Sequence, residues 1–206
     1  MGVPNRQLNL FQDDLNPDRD GGFQRMFVSK KIFLTRGVGK HKEKLSSFEM
    51  ALRNADIAHF NLVRVSSIFP PKCKLVNKRE GLRHIHPGEV VFCVLSQNAT
   101  NEPHRLIAAS LGIAIPSNPK HYGFLSEHHS FGQKEGVAGD YAEDLAASML
   151  ATILGVDFDP DVSYNEKKEL WRISGQIVKT TNATQSAIGD KDGLWTTVIA
   201  GAILLP

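Results

Sequence analysis

At 206 residues, with 41% hydrophobic and 22% charged residues, the chain has the size and composition of one globular domain that buries a core without covalent staples. A formal net charge of +2 and short, scattered lysine pairs exclude the electrostatic footprint of a nucleic-acid binder. Two cysteines, Cys73 and Cys93, do not make a disulfide scaffold. With a polar N-terminus and a last apolar run too short to span a bilayer, they set the expectation of a cytoplasmic protein with no membrane partner.

Residues 1–25 read as a loose arm, punctuated by Asn16-Pro17 and Gly21-Gly22. One domain is expected over 26–206. Phe27 to Thr35 reads as a strand ended by Gly37 and Gly39, and Ser46 to Ile57 as a helix with Phe48, Leu52 and Ala55 on one face. Phe60 to Phe69 is strand-like and stops at Pro70-Pro71. Val90 to Leu95 predicts a short buried strand, Pro103 to Leu111 a helix, and Tyr122 to Glu127 another strand. Tyr141 to Leu154 carries the strongest helix signal, with Asp140 and Glu143 in a capping-box pattern and Gly155 at C′. Leu170 to Thr180 and Leu194 to Leu205 close the chain as strands. The order lacks a regular βαβ rhythm, so the reading is α and β in one domain.

Ser66 and Ser67 are the chemical signal. A hydroxyl pair at the end of an apolar, β-branched run builds a poor strand and a good self-cleaving backbone. The Ser67 hydroxyl can attack the Ser66 carbonyl and turn the peptide bond into an ester. Elimination and hydrolysis then leave a pyruvoyl group at the head of the downstream fragment, an electron sink that replaces pyridoxal phosphate.

The segment Asn61-Leu-Val-Arg-Val-Ser-Ser-Ile-Phe-Pro-Pro71, taken with Tyr122-Gly-Phe-Leu-Ser-Glu127, resembles the pyruvoyl-dependent arginine decarboxylases over roughly residues 27 to 206. The resemblance implies an α+β fold, a four-layer α-β-β-α sandwich. It also implies cleavage between Ser66 and Ser67 and a pyruvoyl group made from Ser67. The assembly it implies is a trimer or a pair of trimers, with active sites at the interfaces and a small amino acid as substrate.

By that resemblance Asn61 assists processing by polarising the scissile carbonyl, and Ser66 becomes a new C-terminus that lines the site. Glu127, its carboxyl raised in an apolar setting, protonates the α-carbon after decarboxylation through a Schiff base. Glu49 falls where the family carries an Asp that binds the substrate guanidinium, with Leu52 and Phe60 lining the pocket. Glu49 has a rival reading, since Ser46-x-x-Glu49 is itself a capping-box pattern.

His84-x-His86 and Glu127-His128-His129 offer no third ligand at metal spacing, and a strand would split adjacent residues between faces, so no metal is expected. Arginine conversion to agmatine and carbon dioxide is the first reading. The same chemistry on another amino acid, and an uncleaved binding or assembly protein of the same fold, remain as alternatives.

Overall fold

The computed structural model describes residues 27–155 and 177–206. The β-rich run after Phe27 forms β1 (Lys31–His41), which continues through Gly37 and Gly39 instead of ending at them. The helix that follows, α1 (Lys44–Asn54), gives the reason. A Cβ on Gly37 would lie 2.2 Å from the Ala51 carbonyl oxygen, and one on Gly39 2.2 Å from that of Ser47. Here the helix backbone lies directly on the strand, and any side chain would push it away. The N-cap of α1 is Glu43, without a side-chain hydrogen bond, so Ser46 and Glu49 lie inside the helix and form no capping box. Its apolar face is the expected one: Ala51 and Ala55 are buried, with Phe48 and Leu52 beside them.

The stretch read as a single strand from Phe60 to Phe69 is two strands in two sheets. β2 (Asn61–Arg64) belongs to a five-stranded sheet of order β2-β5-β9-β1-β4, in which β4 is Lys74–Val76, β5 is Val90–Thr100 and β9 is Trp195–Leu205. β3 (Ile68–Phe69) belongs to a four-stranded sheet of order β3-β7-β6-β8, in which β6 is Leu106–Pro116, β7 is Gly123–Phe131 and β8 is Ile177–Ile188. Val65, Ser66 and Ser67 carry the chain from one sheet to the other. β8 meets the strand expected from Leu170. Residues 170–176 lie outside the described residues, as does the 1–25 arm.

β6 replaces the helix expected over Pro103 to Leu111. Ile107 to Ala114 are buried on both faces, so the run is apolar without alternation and imitates a buried helical segment. Leu111 and Ile113 join Ile32, Val94, Ala200 and Leu125 in a core between the two sheets. Gly112 faces the other way, where a Cβ would lie 2.1 Å from the Ala142 carbonyl oxygen of α3 (Glu135–Leu154).

α3 opens at Glu135, well before Tyr141, so Asp140 and Glu143 lie within it and cap nothing. Its other end is as expected, with Gly155 left-handed at φ 68°. A short helix not foreseen, α2 (Lys78–Leu82), is capped by Asn77, which accepts from the Glu80 N–H at 2.8 Å. α1 packs on β1 and β9, and α3 on β6, β7 and β8, so the class is α+β. Both cysteines are free thiols. Among the described residues no helix is long and apolar enough to cross a membrane.

Candidate active site

The parallel ladder of β2 on β5 runs one residue past Arg64, because the Val65 N–H donates to the Cys93 carbonyl at 2.9 Å. The chain then leaves the sheet. The Ser66 carbonyl accepts from the Ile68 N–H at 3.1 Å, which closes a three-residue turn centred on Ser67. The Ser67 carbonyl accepts from the Leu125 N–H of β7 at 2.9 Å. One peptide bond thus sits at the crossing between sheets, anchored on both sides. Its carbonyl already carries a donor that would stabilise negative charge if the Ser67 hydroxyl attacked it.

The β3–β7 register pairs Ile68 with Phe124, so Leu125 lies opposite Ser67 and Glu127 follows two residues later, about 7 Å along the strand. Glu127 lines an open cleft of about 410 Å³ together with Lys44, Arg64, Gln97, Asn98 and His129. Ser66 and Ser67 are not on the wall of this cleft, whereas Arg64, two residues before Ser66, is. Partial burial pushes the Glu127 carboxyl above its ordinary value, against the pull of Arg64 and then His129. Nearby, burial pushes the Cys93 thiol up to about 11. The Arg64 guanidinium donates through Nη2 to Gln97 Oε1 at 2.9 Å.

His128 turns to the opposite face of β7. Its ring lies 4.5 Å from that of Tyr141 on α3, and Nε2 is 2.9 Å from Gln133 Oε1. The strand period does separate the two adjacent histidines. Past β2 and β3, β5 and β7 have no further strand partner on that side among the described residues, and they are tied by side chains. Ser96 Oγ donates to the His128 carbonyl at 2.7 Å, and Asn98 Nδ2 to the Ser130 carbonyl at 2.8 Å.

The other expected site residues form a second group. Asn61 opens β2, donating Nδ2 to the Gly88 carbonyl at 2.7 Å and its N–H to the Glu89 carbonyl at 2.8 Å. Four extended steps along the chain carry it to Val65, about 13 Å away, so its amide does not reach the Ser66 carbonyl of its own chain. Ile68 is the donor there. Phe60 and Leu52 belong to the core beneath α1, and Glu49 accepts from Arg53 Nε one turn along the same helix. Of the expected site residues the structure therefore puts only Glu127 on the cleft wall, with Ser67 paired two residues away on β7, and leaves Ser66, Ser67, Glu49, Leu52, Phe60 and Asn61 off it.

Sequence reasoning missed the Ile68 N–H, Gln97 and Arg64. Of these only Arg64 left a trace, as a lone cation in an apolar strand.

The family described as pyruvoyl-dependent arginine decarboxylase (PvlArgDC) matches residues 31–206. The chain belongs to that family. The probable pyruvoyl-dependent arginine decarboxylase of Chloroherpeton thalassium is 58% identical over 180 residues, 87% of this chain and 99% of that one. The pyruvoyl-dependent arginine decarboxylase of Nitrosopumilus maritimus is 58% identical over 178 residues, 86% of this chain and 97% of that one. Pyruvoyl-dependent arginine decarboxylase 2 of Methanosarcina mazei is 53% identical over 178 residues, with the same shares.

The prosthetic group of pyruvoyl-dependent arginine decarboxylases is a pyruvoyl, and the crossing fits its formation. It presents a hydroxyl at the required position, a carbonyl held by the Ile68 N–H, and a backbone fixed on β7.

Proposed function

We propose that this protein cleaves itself between Ser66 and Ser67 and then converts L-arginine to agmatine and carbon dioxide. The observation that carries this reading is the crossing itself, where the scissile carbonyl has a backbone donor and Glu127 lies two residues beyond Ser67's pairing partner. In the first stage the Ser67 hydroxyl attacks the Ser66 carbonyl while the Ile68 N–H holds the oxygen. β-Elimination of the resulting ester would expel the Ser66 carboxylate. Hydrolysis of the dehydroalanine left at residue 67 would take up water and release ammonia. The products are an upstream chain of residues 1–66, whose carboxylate stays beside the site, and a pyruvoyl-headed downstream chain of residues 67–206. The pyruvoyl group supplies an electron sink to the bound amino acid.

Burial raises the Glu127 carboxyl above its ordinary value and so favours the acid form, which delivers a proton to the substrate α-carbon after the carboxylate has left. Glu49, Leu52, Phe60 and Asn61 serve the site of a second copy, since Asn61 is out of reach of its own Ser66. This reading requires a homo-oligomer, a trimer or a pair of trimers, with interfacial sites. Glu49 already carries the guanidinium of Arg53, so its side chain, one methylene longer than the family's Asp, presents a carboxylate suited to the arginine tail.

The domain is the single unit 26–206 behind an arm of residues 1–25, in the layer order α-β-β-α, and the protein works in the cytoplasm.

Two measurements on one preparation test this. Intact mass under denaturing conditions should give two fragments breaking between Ser66 and Ser67. Carbon dioxide release should be fastest from arginine when lysine, ornithine and histidine are assayed beside it. A single full-length mass with no release from any of the four would sink the proposal, while faster release from another of them would move the substrate and leave the chemistry.

A further inference from the structure

Arg64 has no part in the events described so far, yet it is the fixed cation beside Glu127. It ends β2, and its guanidinium reaches into the cleft that Glu127 lines, held at 2.9 Å by Gln97 of β5. That partner is neutral, so among the described residues no ion pair cancels the charge. Resting on the reading of Glu127 as proton donor, we propose that Arg64 is a positioning residue for the decarboxylation. Its guanidinium, anchored on Gln97, balances Glu127 between the acid that gives a proton to the substrate and the carboxylate that takes a fresh one from solvent.

The charged and titratable groups near Glu127 can be taken element by element. α1 supplies Lys44, which also lies 4.9 Å over the Trp195 ring. β2 supplies Arg64, β5 supplies Cys93, and β7 itself supplies His129. β6 supplies only Leu111, the pairing partner of Glu127. Tyr141 of α3 is on the far side of β7, against His128.

Burial drives the Glu127 carboxyl toward the protonated form, and Arg64 is the largest force opposing it, ahead of His129. The Cys93 thiol, raised chiefly by burial, is lowered by Arg64 and raised by Glu127, in line with the cleft that Arg64 and Glu127 share. A guanidinium keeps its charge throughout the pH range of turnover. A donor held too firmly in its acid form transfers its proton poorly, so an opposing fixed charge favours turnover.

Arg64→Met, with Arg64→Lys as the charge-retaining control, tests this through the pH dependence of kcat and through infrared titration of the Glu127 carboxyl band. That band is assigned by its loss in Glu127→Gln. The titration is read whether or not the chain has cleaved. In Arg64→Met the Glu127 titration should move up by on the order of one pH unit, and the high-pH limb of kcat should move with it. Arg64→Lys should restore both. A Glu127 titration unmoved in Arg64→Met, or a change confined to KM, overturns the inference. Failure of the underlying reading looks different: Glu127→Gln would then retain turnover, whatever the band does in Arg64→Met.

Discussion

The two faces of β7 are built from alternate residues of one strand and do different work. On one face Ser126 donates its hydroxyl to the Ala142 carbonyl and His128 packs on Tyr141, so polar groups are spent on holding α3. On the other, Leu125 joins the core between the sheets while Glu127 and His129 open into the cleft. Histidine thus serves as a fastener on the face that α3 covers and lines the cleft on the face that no described helix covers. A hydroxyl or imidazole takes its role from which side of the pleat it occupies.

The largest expected effect is at the crossing. Ser67→Ala should remain a single chain with no detectable decarboxylation, read by intact mass and carbon dioxide release. Next comes the cleft face, where Glu127→Gln should cleave normally and lose roughly 10²–10⁴-fold in kcat. The helix face should respond in stability and not in chemistry. Gly112→Ala drives a Cβ into the Ala142 carbonyl and should cost about 1–3 kcal/mol by denaturant titration, with cleavage retained in the folded fraction.

Ser126→Ala should cost about 1 kcal/mol, a fall of roughly 3 °C in melting temperature, and leave kcat alone. A large loss of turnover in Ser126→Ala would erase the contrast between the faces. The smallest effect concerns the stability of Glu127→Gln itself. A carboxyl whose folded pKa is raised stabilises the fold fully at low pH and loses that contribution as pH rises through the folded value. Glu127→Gln should therefore melt with the parent at pH 4 and slightly above it at pH 8.

Much of this could be read from residues alone where the signal is local. The C-cap at Gly155 needs only a left-handed residue after a helix. The Ser66-Ser67 pair and Glu127 stand out in short segments because the chemistry proposed for them needs few residues. Readings failed where a distant element decides the outcome. β6 reads as a helix because both its faces are covered, which removes the alternation that marks a strand. Gly37 and Gly39 read as a strand end, although their purpose is the close approach of α1. Phe60 to Phe69 could not be split between two sheets without knowing that β5 and β7 receive its halves. Arg64 and Glu127 are 63 positions apart, and only the packing of β5 against β7 brings them to one cleft.

The strand order has one more consequence, for a molecule nicked at the crossing. The upstream piece holds β1 and β2, and every ladder partner they have belongs to the downstream piece: β1 lies between β9 and β4, and β2 lies on β5. The two pieces are interwoven and do not drift apart while the fold persists. Once melted, however, they are separate molecules that must find each other again. The precursor should refold at a rate independent of dilution, whereas the nicked form should refold more slowly as it is diluted.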